Sequence, residues 1–146
     1  MSGVDPFNLE RFVEAQAPVI ERVRAELRAG RKRSHWMWFV FPQVTGLGNS
    51  AMAARYAIGS LDEARAFLAH PVLGARLREC TRLVLDVQGR SVEAIFGHPD
   101  DLKFHSSMTL FAQAAPDERV FFDALAKYFG GARDEATIAV LGRRSV

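Results

Sequence analysis

Along most of this chain hydrophobic residues recur at helical rather than alternating spacing. Phe7, Leu9, Phe12 and Val13 give an apolar face behind an Asp5-Pro6 start, where the aspartate caps and the proline takes the first helical position. Pro18 breaks that helix. Val19, Ile20, Val23 and Leu27 carry a second from Pro18 to Ala29, with Gly30 placed to end it in a left-handed conformation. Ser50 caps a short helix through Tyr56, and Ser60 with Glu63 forms a capping-box pair for the next. His70-Pro71 opens a long helix whose Val72, Leu73, Leu77, Val84 and Leu85 face a core, with Gly89 to end it. Ser91 to Phe96 makes one or two turns, and Pro99 opens a helix to about Ala114. Asp117 caps another reaching Phe129, Gly130-Gly131 ends it, and Asp134 to Leu141 closes the pattern. The pattern predicts an all-α fold, a single compact bundle of about eight helices, several of them short, with irregular topology over residues 1–146.

One stretch, RKRSHWMWFVFPQVTGLGNS, departs from this rhythm. Its aromatic and β-branched residues suit a strand, but the chain holds no second run of similar strength to pair with it. A helix and a buried extended segment both remain open for residues 34–44.

Composition narrows the classes. A chain of 146 residues, 49% hydrophobic and 25% charged, encloses a core as one domain and lacks the signature of disorder. Cys80 is the lone cysteine and no Cys or His set stands at metal spacing, so a reducing cytoplasm is expected, with no metal and no cofactor. Asp5, Glu10, Glu14 and Glu21 occupy the stretch where a signal peptide would be basic and then apolar, and the apolar run from Trp36 to Pro42 is too short to span a bilayer. A net charge of +2 is weak support for a polyanionic partner. Of the 19 basic residues only Lys32, Lys103 and Lys127 are lysine, and in so Arg-rich a chain a retained lysine suggests a use for its compact point charge.

Three segments carry candidate chemistry. Lys32, His35, Trp36, Trp38 and Gln43 put both tryptophans beside basic groups, a combination suited to stacking a base while meeting a phosphate; the competing reading is that the aromatics fill the core. The loop from Gly46 to Ser50 enters a helix with free backbone N–H groups, yet matches neither the dinucleotide fingerprint nor the Walker pattern. From His98 to Thr109, acids, imidazoles, hydroxyls and an amine crowd onto one helix. There Lys103, Ser106 and Ser107 share a face beside an apolar stripe of Phe104, Met108 and Phe111.

The motifs HWMWFVFPQ, GLGNSAMAARY, HPVLGARLREC and IFGHPDDLKFHSSMTLF together resemble the bacterial domain-of-unknown-function family 1810, from about Phe7 to Leu141. The resemblance implies an all-helical fold and carries no established activity. The label calpastatin often attached to that family does not suit this chain, because that inhibitor is an extended, disordered polypeptide and this composition is that of a packed domain.

Two functions of different kinds follow. In the first, a nucleotide or ADP-ribose-like small molecule stacks on Trp36 or Trp38 and its phosphates meet Lys32 and Lys103. Gln43, Ser106, Ser107 and Thr109 supply further contacts, and His35 or Asp101 would be the acid/base group of a hydrolytic reaction. The alternative is a nucleic-acid or protein interaction module without catalysis, using Arg28, Arg31, Lys32 and Arg33 with Arg143 and Arg144, and no membrane partner. The deciding question is whether the 32–43 segment meets the 101–111 helix.

Overall fold

A computed structural model describes residues 4–144 and every side chain among them except that of Arg144. Ten helices follow one another among the described residues: α1 (Glu10–Gln16), α2 (Ile20–Arg28), α3 (Met37–Val40), α4 (Ala51–Arg55), α5 (Leu61–Ala69), α6 (Leu73–Leu85), α7 (Val92–Phe96), α8 (Asp100–Ala114), α9 (Arg119–Phe129) and α10 (Glu135–Arg144). The fold is all-α as expected, and the helix with no counterpart in the sequence pattern is the single turn α3, in the 34–44 stretch. None is long and apolar enough to cross a membrane.

Local chemistry sets most boundaries. Ser50, Ser60 and Ser91 each accept the backbone N–H three residues on, capping α4, α5 and α7. Glu63 completes its part of the box one residue early, taking the Gly59 N–H at 2.9 Å. His70 caps α6 as expected, its Nδ1 accepting from Val72 and Leu73.

Two starts differ from the sequence pattern. Asp5 does accept the N–H groups of Leu9 and Glu10, but Asn8 between them sits at φ 50°, so the regular helix begins at Glu10. Asp117 does not cap α9; Glu118 holds the capping position in extended backbone, and its carboxylate instead makes a two-pronged pair with Arg78 of α6, at 2.6 and 2.9 Å.

Helix α8 runs through the middle, packed against α5, α7, α9 and α10. Nine of its residues, from Phe104 to Ala114, are buried, too many for one stripe, which is the mark of a helix enclosed nearly all round. Edge-to-face ring pairs join Phe41 to Phe96 and Phe104 on one side, and Phe12 to Phe67 on the other.

The open segment resolves into both forms at once. Residues Met37–Val40 make one helical turn, and Val44 then makes an isolated parallel bridge with Ile58, with Ile58 donating to Gln43 and Thr45 to Ile58, both at 2.9 Å. Buried Gln16 donates to Phe39 O at 2.7 Å, while Arg11 binds Arg55 O, Ala57 O and Glu63. These bonds tie Phe39, ahead of the bridge, and Arg55 and Ala57, at the end of α4, to α1, and so hold the chain on both sides of the loop that follows Val44.

Candidate functional site

The loop of residues 43–49 is flanked by three neighbouring hollows. The largest, about 420 Å³, lies between the loop and α8, lined by Gln43, Leu47, Gly48 and Asn49 on one side and by Pro99, Leu102, Lys103 and Ser106 on the other, with Asp134 and Ala136 at its end. A second, about 250 Å³, shares Gln43 and Gly48 and adds Trp38, Ala53 and Tyr56. The third, about 300 Å³, lies beside Thr45, Gly46, Val140 and Arg143. The loop folds back so closely on α4 that residue 48 must be glycine, since an added Cβ would stand 2.5 Å from that of Ala53.

The two segments singled out from the sequence do meet. Lys32 Nζ stands 2.7 Å from Asp100 Oδ2, and Lys103 Nζ stands 3.3 Å from Asp100 Oδ1. Each ammonium also lies over an indole, Lys32 at 5.2 Å from the Trp36 ring centre and Lys103 at 5.1 Å from that of Trp38. Two ammoniums, each over a tryptophan, thus share one carboxylate, which leaves this trio one positive charge in excess.

The two tryptophans have different positions. Trp36 is enclosed in the core at 1% exposure, its indole N–H donating to Glu26 at 2.9 Å, so it has no free face for a ligand, and of the two stacking candidates only Trp38 is left. Trp38 is half-buried and lines the second hollow. Glu26 gathers three further donors, the N–H groups of Arg33 and Ser34 and the Ser34 hydroxyl, at 2.8, 3.2 and 2.7 Å. Burial pushes its carboxyl up, but the hydrogen bonds, that of the Arg33 N–H foremost, outweigh burial and hold it below its ordinary value.

The hydroxyls on α8 also separate. Ser106 lines the large hollow and shares its proton between Leu102 O at 3.2 Å and Asp134 Oδ2 at 3.0 Å. Asp134 is the N-cap of α10, accepting from the Thr137 N–H and hydroxyl, and its own N–H goes to Thr109, whose hydroxyl donates to His105 O. Thr109 is wholly buried and works as a peg for α10, with no face on the hollow. Ser107 is also wholly buried, its Oγ without a hydrogen-bond partner, and it too is out of a ligand's reach.

Neither acid/base candidate lines any of the three hollows. His35 is exposed, and Asp101, its side chain 14% exposed, holds His98 Nδ1 at 3.0 Å. Together with Glu93 these two bring ligand-type atoms within 4.8 Å of one another at the surface, a grouping hidden from sequence spacing because α7, the following turn and α8 each supply one member. Asp100, Asn49 and Asp134 were not foreseen as site residues. Asp100 had a signal, its spacing three residues before Lys103 on one helix face.

Residues 6–141 match the family described as "Protein of unknown function (DUF1810)". The chain belongs to that family. It is also similar to the conserved hypothetical protein Rv1873 from Mycobacterium tuberculosis, known from a crystal structure at 1.38 Å. The two are 63% identical, with 94% of this chain and 99% of that one covered and a TM-score of 0.93. No curated protein matches the chain.

Proposed function

We propose that the protein binds a small anionic molecule of nucleotide or ADP-ribose type in the hollow between the 43–49 loop and α8. The observation that carries this reading is Lys103, whose ammonium lies over Trp38 and whose side chain lines a 420 Å³ space. That volume falls in the range usual for small-molecule sites, which are about 300 to 1,000 Å³. Lys103 offers charge to a phosphate, Gln43 and Asn49 offer amides, and Leu47 and Leu102 offer apolar surface. The Asp134 carboxylate, which also lines the hollow, is occupied by its own hydrogen bonds, which lessens its repulsion of an anion.

Binding without catalysis is the form proposed, since His35 and Asp101 stand outside the hollow. The alternative, a nucleic-acid or protein interaction module, draws on Arg28, Arg31 and Arg33, all exposed, and on Arg143; the side chain of Arg144 lies outside the described residues. It is the lesser reading because Arg28, Arg31 and Arg33 line none of the three hollows and the net charge is only +2.

Calorimetric titration with ADP-ribose, NAD and ADP tests the proposal. Saturable binding is expected for at least one, weakened roughly tenfold or more by Lys103→Ala through loss of a charge-assisted hydrogen bond. No heat and no thermal stabilisation at millimolar ligand would overturn it.

A further inference from the structure

Lysine is scarce here, and two of the three lysines converge on one carboxylate. They do so unequally. The Lys32 side chain is 7% exposed and makes the shorter contact, 2.7 Å, while Lys103 is 25% exposed and makes the longer one, 3.3 Å. Lys32 is also the more firmly held. Its backbone N–H donates to Ile95 O at 2.7 Å, and its ammonium rests on Trp36, which Glu26 anchors.

Asp100 carries one negative charge, and a buried, immobilised ammonium has the better claim to it. The surplus positive charge therefore rests on Lys103, the member that lines the hollow. Coulomb attraction between unit charges in contact is appreciable even in water and several times stronger near a protein surface. Small changes in this shared charge therefore change anion affinity measurably.

We propose that Lys32 and Asp100, neither of which need touch the ligand, together set the affinity of Lys103 for a phosphoryl oxyanion: Asp100 restrains it, and Lys32 limits that restraint by occupying Asp100. This rests on the reading of the same hollow given above, and deepens it by naming the group bound at Lys103 and the residues that tune it. Both are positioning and charge-setting residues.

The test uses the full chain labelled with ¹³C at lysine Cε, in which three lysines give three signals, and inorganic pyrophosphate as probe at constant ionic strength. The Lys103 signal should move saturably while that of Lys127, whose ammonium is held by Leu85 O and Val87 O, stays in place. Asp100→Asn, which raises the local charge, should tighten pyrophosphate about fivefold, and Lys32→Met, which lowers it, should weaken it by about the same factor. The double variant restores the original charge and should restore the original affinity. A purely structural role predicts weakening in both single variants and no restoration.

An unmoved Lys103 signal would overturn the proposal, as would weakening in Asp100→Asn. Should Lys32→Met fail to fold, the direction of the Asp100→Asn effect decides alone. Pyrophosphate moving Lys103 while ADP-ribose, NAD and ADP do not bind would support this inference and sink the nucleotide reading separately.

Discussion

Glu26 shows how one residue can organise a segment. Its carboxylate accepts from Arg33, Ser34 and Trp36, which turns the chain after α2 and seats Trp36 in the core. Replacing it with Gln keeps the shape but turns four charge-assisted bonds into neutral ones, a loss of about 1–3 kcal/mol. Because its folded pKa is depressed below the ordinary 4.5, its stabilisation is fully present above that value and lost as pH falls through the folded pKa. Urea unfolding should therefore show wild type well above Glu26→Gln at about pH 7, and the gap closing toward about pH 3. Equal gaps at both pH values would refute the assignment. The sequence could not announce this residue, which reads as one more acid on an amphipathic helix.

Among the elements, the α5–α6 junction depends on a single missing methyl group. Gly74, in the first turn of α6, brings its backbone so close to the end of α5 that a Cβ would lie 2.1 Å from Leu68 O. A carbonyl oxygen cannot rotate away as a side chain can, so the helices must separate. Gly74→Ala should lower stability by roughly 2–3 kcal/mol despite the better helix propensity of alanine, seen as a drop in Tm. An unchanged or raised Tm would show that the junction yields. Element positions themselves were mostly legible, since serine and histidine caps are bonds within a few residues. Asp117 does not cap α9, and Glu118, which holds that position, is turned to Arg78 on α6, a partner that local pattern does not reveal.

Taken whole, the molecule encloses its one cysteine completely. Burial pushes the Cys80 thiol up to about 12, with the neighbouring Glu79 charge adding to the effect, so almost no thiolate exists at neutral pH. A thiol-specific reagent should leave Cys80 untouched in the folded protein and label it fully in urea, with the labelling midpoint matching that of unfolding by circular dichroism. Rapid labelling without denaturant would contradict the enclosed core. The same enclosure explains why the 101–109 segment was only partly readable. Its hydroxyls stand near one another in sequence, but Ser106 reaches the hollow, Thr109 pegs α10 and Ser107 is sealed in.

What the sequence by itself determined is the helical class, the family and most of the helix ends, because apolar spacing, proline breaks and caps act over a few residues. Only the tertiary structure decided that Trp38 and not Trp36 lines a hollow, the smaller one of about 250 Å³, that Asp100 joins Lys32 to Lys103, and that three hollows surround the 43–49 loop. Those outcomes depend on how α8 crosses the segment after α2. A side chain's neighbours across that crossing are set by packing of the whole core, which no local spacing encodes.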